Sequence, residues 1–340
     1  MADFNLSIKD WYRQNKRDLP WRHTNDPFKI WLSEIILQQT RVEQGLSYYH
    51  KFTNAFQNVG ELADADEQLV LNLWQGLGYY SRARNLHAAA KYIQQALGGK
   101  FPDSYSKLLE LKGVGQYTAA AIASFAFKEP VAVVDGNVFR VLSRYFDIDL
   151  PIDSNKGKKF FQDLAQELID ESEPDTFNQA IMEFGAIQCT PSNPSCDTCP
   201  LESGCLARKN YTIKQRPVKS KKTAVRDRFF HFLIYKETNE ILLMQRTEKD
   251  IWQNLWQFPL IETDPTSSNH DITELKGLTP GKVSDEIIHI LSHQRIHARF
   301  YHITGIPEDI PSAWRRIKID ELQDFPLPRL IDRYLNNNPC

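Results

Sequence analysis

Leu111-Lys112-Gly113-Val114-Gly115-Gln116-Tyr117-Thr118-Ala119-Ala120-Ala121-Ile122 sets two glycines in a tight turn and opens a helix of small residues directly behind it. Glycine permits positive φ and close backbone approach, and the first amides of a helix are unpaired donors that suit a phosphate. The stretch predicts two helices joined by a hairpin able to hold a phosphate backbone, although an ordinary turn between helices would use the same residues. Helical patterning surrounds it. Ile30 to Tyr49 carries one apolar helical pattern, Glu67 to Leu73 continues it, and Leu86 to Leu97 has no breaker inside, with Pro102 falling between segments. Residues 1 to about 208 therefore read as mostly α.

Beyond Lys209 the texture changes. Between Lys209 and Arg228 stand eight basic residues and one acidic one, Asp227, which reads either as a solvated interdomain linker or as a segment that tracks DNA. Strand-like alternation follows at Phe229 to Tyr235, Ile241 to Gln245, Ile296 to Ile303 and Trp314 to Ile319. Ser284 to Ser292 reads as a helix, with Ser284 as N-cap and acidic residues in the first turn. The second domain is expected to be a small α+β unit. At 340 residues the chain has room for two or three domains, and 41% hydrophobic with 25% charged residues is the balance of a globular protein. No apolar run nears the ~20 residues that cross a bilayer, and the N-terminal stretch lacks a signal-peptide core, so a cytosolic protein is expected, nucleoid-associated if bacterial. The net charge of -2 weakens a general case for nucleic-acid binding, but local distribution matters more.

Four of the five cysteines, Cys189, Cys196, Cys199 and Cys205, fall in one stretch with spacing C-x6-C-x2-C-x5-C. Four thiolates can surround one centre, and the uneven spacing suits an iron-sulfur cubane better than zinc knuckles, with a structural zinc as the alternative. Disulfides are less favoured in a reducing compartment.

Hairpin and cysteine loop together resemble the helix-hairpin-helix DNA glycosylase superfamily that includes endonuclease III. Further motifs resemble one branch, the adenine DNA glycosylases of the MutY type: Leu19-Pro20-Trp21-Arg22, the run Trp31 to Val42, the run Gly76 to Leu86, and Val134-Asp135-Gly136-Asn137-Val138. The resemblance covers nearly the whole chain. It implies an all-α glycosylase region with a [4Fe-4S] loop, followed by a C-terminal α+β Nudix-like domain. The implied divisions are a helical region 1–208, made of one lobe of about 25–130 and another of 1–24 plus 131–208, then a basic linker 209–227 and a lesion-recognition domain 228–340.

The implied substrate is double-stranded DNA with adenine opposite 8-oxoguanine or guanine, handled by a monomer. Adenine is a poor leaving group, so an acid must protonate its five-membered ring while negative charge supports an oxocarbenium-like sugar. The resemblance assigns Glu34 to the acid and Asp135 to the carboxylate that stabilises the cation or bonds to it transiently. Tyr117 would orient one of them. Apolar neighbours can raise the Glu34 pKa, while the turn amides would keep Asp135 ionised. Read without the family, Glu34 could be a solvated helix-face glutamate and Asp135 an N-cap.

Lyase members carry a lysine where this chain has Tyr117, and a phenol cannot form a Schiff base, so hydrolysis without strand cleavage is expected. Arg17, Trp21 and Gln179 are implied in the adenine pocket. Gln39 would wedge into the vacated stack, Thr40 and Leu77 would touch the oxidised guanine, and Tyr79 would stack beside it. Gly113 and Gly115 would hold the DNA backbone. Core packing is the alternative for Trp21, Leu77 and Tyr79.

Arg246 to Pro259 resembles the start of a Nudix-like domain, yet nothing between Leu260 and Ser292 supplies the acidic REUxEExGU box, so binding without hydrolysis is expected. Ser292-His293 aligns with a family Phe-Ser-His segment, with Leu291 replacing the aromatic, which leaves the Ser292 hydroxyl as the lesion contact. The rival enzyme is an endonuclease III-like pyrimidine-lesion lyase, opposed by Tyr117 and the extra domain. A non-catalytic DNA-binding iron-sulfur protein is the rival from another class, opposed by Glu34 and Asp135.

Overall fold

The computed structural model describes residues 2–220, 225–263 and 280–338. Twelve helices occupy the first part of the described chain: α1 (Ala2–Asn15), α2 (Pro27–Leu37), α3 (Val42–Ala55), α4 (Val59–Asp64), α5 (Glu67–Leu73), α6 (Ser81–Ala96), α7 (Tyr105–Leu108), α8 (Gln116–Phe127), α9 (Gly136–Tyr145), α10 (Asn155–Leu168), α11 (Pro174–Glu183) and α12 (Leu206–Lys209). The chain packs as two compact units, Met1–Asp64 with Ala88–Lys221, and Ala65–His87 with Lys222–Cys340.

In the first unit, α2 starts where Asp26 accepts from the Phe28 amide and Pro27 presets the first turn. It is buried almost all round and packs on α3 and α8. The expected single pattern Ile30–Tyr49 is in fact two helices. No glycine or proline marks the break; at its start the Gln38 side chain donates to Thr118 Oγ1 of α8 at 3.0 Å, and Gln39 then adopts φ 54. Tertiary contact overrides local propensity here. Gly45 lets α2 and α3 meet, because a Cβ there would lie 2.6 Å from Leu37 Cδ2.

The hairpin is formed as its sequence requires. Gly113 turns at φ 82, and Gly115 caps α8, whose face of Ala119 to Ala123 is buried. A second core joins the N-terminal helix to later ones: Phe4, Ile8 and Tyr12 of α1 pack with Val138, Leu142, Phe161, Phe177 and Phe184. Residues of the basic run as far as Ser220 lie on this unit, with the Ile152 amide donating to Val218 O at 3.0 Å and the Ser220 amide to Asp153 Oδ1 at 3.0 Å.

The second unit is built on a mixed sheet of strands β1 (Arg226–Glu237), β2 (Glu240–Gln245), β3 (Trp256–Gln257), β4 (Leu260–Thr263), β5 (Lys282–Val283), β6 (Ile287–Ile290), β7 (Gln294–Thr304) and β8 (Trp314–Lys318). The main order is β3-β2-β1-β7-β5, β1 and β7 being parallel with Phe232 opposite Phe300. Phe230, Phe232 and Ile234 face one side, where α13 (Arg329–Asn337) lays Tyr334 flat on Phe300 at 3.7 Å; Leu233 and Tyr235 face the other.

The expected helix Ser284–Ser292 does not form, and its middle, Ile287–Ile290, is a strand. Three isoleucines in Ile287–Ile290 favour β geometry and pair with β7, while Glu286, which read as a first-turn acid, bonds the His297 ring at 3.1 Å. Much of the Leu260–Ser292 stretch in which the Nudix box is missing, residues 264–279, lies outside the described residues. No helix among the described residues is long and apolar enough to cross a membrane.

Candidate active site

Within the first unit, a cavity of about 190 Å³ opens between α2, α8, α9 and α11. That is well under the ~300 Å³ of a typical drug pocket and suits one flat heterocycle. Arg17, Trp21, Glu34, Thr40, Tyr117, Asp135 and Gln179, far apart in sequence, all line it.

Glu34 stands on the last turns of α2 with 5% of its surface exposed. Burial pushes its pKa up to about 7, and the nearby charge of Asp135 adds to the rise, against the hydrogen bond from Tyr117. Tyr117, the second residue of α8, donates from its hydroxyl to Glu34 Oε2 at 2.8 Å. Its own pKa lies well above 10 because it is buried beside two carboxyls, so it stays a donor.

Asp135 caps α9. Its Oδ1 accepts from the amides of Asn137 and Val138, each at 2.8 Å, and its Oδ2 from Asn137 Nδ2 at 2.7 Å. The turn amides were expected to keep Asp135 ionised; they and Asn137 pull its pKa down, while burial pulls harder the other way and leaves it raised above the ordinary carboxylate value. Behind it Arg140 Nη2 donates to Asn137 Oδ1 at 2.8 Å and to Gly185 O at 2.7 Å.

Glu183 is a charged cavity residue that the sequence reading missed. It is 1% exposed, and Arg17 and Arg22 both grip it, with Nη2 atoms at 2.7 and 2.8 Å from Oε2. Burial pushes its pKa up, but the two guanidiniums prevail and hold it at about 2. Arg17 therefore reaches the cavity wall already committed to a carboxylate. Trp21 rests edge-on against Tyr49 at 5.2 Å. Gln179 accepts at Oε1 from the Tyr12 hydroxyl at 2.9 Å.

Beside this cavity runs a groove of about 670 Å³ lined by Gln39, Gly113, Gly115, Gln116, Tyr117 and Asp135 among others. The hairpin glycines and the helix start thus border the carboxylates. Gln39 is exposed at the groove in its left-handed conformation.

Tyr79, Leu77 and Ser292 belong to the second unit. Tyr79, 47% exposed at φ 49, and Ser292 line one cavity of about 210 Å³ with Arg84, Asp250 and Trp252. Leu77 is buried, and Leu291 packs against the sheet core.

The four cysteines are free thiols, each half-buried. Among the described residues no three His, Cys, Asp or Glu side chains stand close enough to grip a single metal ion. The thiols nevertheless feel one another: the Cys199 pKa is pushed to about 11, first by burial and then by the charge of the other three. The loop's oxygen donors are engaged elsewhere, Asp197 and Glu202 with Arg208 at 3.0 and 2.7 Å. From α9, Arg144 Nη1 donates to Cys189 Sγ at 3.4 Å and to Thr190 O at 2.7 Å. A set of thiols without competing carboxylates fits a thiolate-held cluster.

A hairpin and two carboxyls around a base-sized cavity define a base-excision glycosylase, here joined to a Nudix-type sheet. The sequence profile of the HhH-GPD superfamily of base excision DNA repair proteins matches residues 32–169, and that of the NUDIX domain matches residues 230–337. The adenine DNA glycosylase of Buchnera aphidicola subsp. Baizongia pistaciae is 37% identical over 303 residues, covering 86% of this chain and 84% of that one. That of Rattus norvegicus is 33% identical, covering 88% and 70%. A thermostable thymine-DNA glycosylase superposes with a TM-score of 0.57 at 31% identity, over 61% of this chain and 95% of that chain. An endonuclease III in a non-covalent DNA complex shares the fold, at a TM-score of 0.53 and 19% identity over 62% of this chain and 97% of that chain. The chain belongs to the adenine DNA glycosylase family.

Proposed function

We propose that this chain removes adenine opposite 8-oxoguanine or guanine in double-stranded DNA by hydrolysis, with Glu34 as general acid and Asp135 as the carboxylate beside the sugar cation. The observation that carries the reading is the Glu34–Tyr117–Asp135 group in one base-sized cavity, with a Glu34 pKa near 7. A carboxyl poised near neutrality can hold a proton until the leaving base needs it, and a fixed donor at Oε2 sets the direction of transfer. Asp135, gripped by two amides and Asn137, presents negative charge to the oxocarbenium-like sugar. No amine stands at position 117, so the strand is left intact.

Trp21, Gln179 and Arg17 form the adenine pocket. Gln39 fills the gap in the stack, the hairpin glycines hold the backbone, and Thr40, Leu77, Tyr79 and Ser292 serve the opposite base. Cys189, Cys196, Cys199 and Cys205 hold a [4Fe-4S] cluster that supports structure and DNA docking. One preparation tests both parts. Anaerobically purified protein is expected to contain iron and sulfide and to be brown, whereas stoichiometric zinc without iron would reject the cluster. Glu34→Gln is expected to abolish single-turnover adenine excision while DNA affinity stays within a few-fold, and near-wild-type excision would remove Glu34 from the acid role.

A further inference from the structure

Guanine presents a bare acceptor at N7, and oxidation at C8 puts a hydrogen there instead. A side chain that can only accept tells the two apart in sign, because it attracts N–H and repels a lone pair. The cavity shared by Tyr79 and Ser292 offers several polar groups. Hydroxyls of Tyr79, Ser81 and Ser292 can donate or accept, the Tyr80 hydroxyl is spent on Leu327 O and the Gly76 amide, and Arg84 only donates. Among the side chains lining this cavity, Asp250 is the carboxylate.

Asp250 is also held in place. Arg228 of β1, 8% exposed, spends all five of its N–H donors: Nε on Glu262 Oε1 at 2.7 Å, Nη1 on Asp250 Oδ1 at 3.0 Å and Gln294 Oε1 at 3.1 Å, and Nη2 on Asp250 Oδ2 at 2.8 Å and Glu262 Oε2 at 2.7 Å. Arg246 Nη2 adds a bond to Asp250 Oδ2 at 2.7 Å. The bidentate grip fixes the carboxylate plane, and Gln294 ties the same clamp to the hairpin that carries Ser292. Two guanidiniums balance two carboxylates, so the group is neutral overall and does not repel a phosphate-rich partner. Burial pushes the Asp250 pKa up, but the bonds from Arg228 more than offset it, and the group stays ionised. The Asp250 side chain lines the cavity and is 29% exposed, while the Arg228 side chain that clamps it is 8% exposed.

We infer that the Asp250 carboxylate, clamped by Arg228, is a specificity-determining acceptor that favours the N7–H of 8-oxoguanine over the bare N7 of guanine. This rests on the reading that the base opposite adenine meets the Tyr79–Ser292 cavity. Single-turnover excision of adenine opposite 8-oxoguanine, guanine and 7-deazaguanine tests it, the last having neither a lone pair nor a polar hydrogen at position 7. Wild-type enzyme is expected to act faster opposite 7-deazaguanine than opposite guanine, because the repulsion is gone; an equal or slower rate overturns the inference. Asp250→Asn is expected to lower the 8-oxoguanine-to-guanine ratio about tenfold or more, the range of a charged hydrogen bond, and an unchanged ratio in a folded variant also overturns it. If that variant does not fold, the wild-type comparison still decides. Ser292→Phe, which fills the cavity, separates the two levels. Unchanged preference there sinks the cavity reading and the inference with it, whereas collapse there beside an unchanged Asp250→Asn ratio sinks the inference alone.

Discussion

Two glutamates on one cavity wall are driven in opposite directions: Glu34 to about 7 and Glu183 to about 2. Both are buried, and the difference is the company each keeps. Glu34 has a neutral phenol, whereas Glu183 has two guanidiniums. The Glu34 shift ties activity and stability to pH. Between pH 4.5 and 7 the folded chain holds a proton that the unfolded chain has lost, so this group's contribution to stability falls as pH rises through that window. A shift of that size corresponds to roughly 3 kcal/mol. Glu34→Gln removes the loss, and the variant is expected to melt higher than wild type at pH 8 and alongside it near pH 4; equal melting at both would show that Glu34 is solvated. Wild-type single-turnover excision should decline above about pH 7 as the acid loses its proton. Motif residues made Glu34, Tyr117 and Asp135 legible in sequence. Glu183 was not, because its meaning lies in partners 166 and 161 residues away.

At the scale of elements, α9 carries the most argument. Its first residue cap is Asp135, its middle holds Arg140 behind Asn137, and its end sends Arg144 into the cysteine loop. One helix thus fixes the carboxylate proposed to face the sugar cation and grips the proposed cluster's frame. The chain after α11 presses close to its start: a Cβ on Gly185 would fall 2.6 Å from Asn137 Cβ and 2.9 Å from Asn137 O. Backbone cannot yield there as a flexible side chain would. Gly185→Ala is expected to cost about 1–3 kcal/mol of stability through overpacking and to slow excision at least tenfold by displacing Asn137 from Asp135. Excision at the wild-type rate would mean that Asn137 does not set the carboxylate. The glycine hairpin was readable because its φ demand is local. The Ile287–Ile290 strand misled because capping residues and β-branched residues pointed different ways, and pairing with β7 decided.

The whole molecule divides its labour between units that chain order does not display. Every residue lining the Glu34 cavity comes from the first unit, while Tyr79 and Ser292 share the second. Residues 65–87 reach that second unit by leaving the helical one and returning, and nothing in their local sequence marks the excursion. Its anchors are long-range: Tyr80 Oη to Leu327 O at 3.1 Å, Asn254 Nδ2 to Glu67 Oε1 at 2.7 Å, Trp256 Nε1 to Gln68 Oε1 at 3.1 Å and Arg329 Nη1 to Gly76 O at 3.1 Å. Ending the chain at Ser220 deletes every one of these partners and leaves the residues of the Glu34 cavity in place. Adenine excision opposite guanine is therefore expected to survive truncation better than the preference for 8-oxoguanine, and amide exchange over residues 65–87 should quicken, since a segment stripped of its packing opens more readily. A truncated enzyme with the full-length ratio of 8-oxoguanine to guanine rates would place lesion reading in the helical unit alone, at Thr40 and its neighbours.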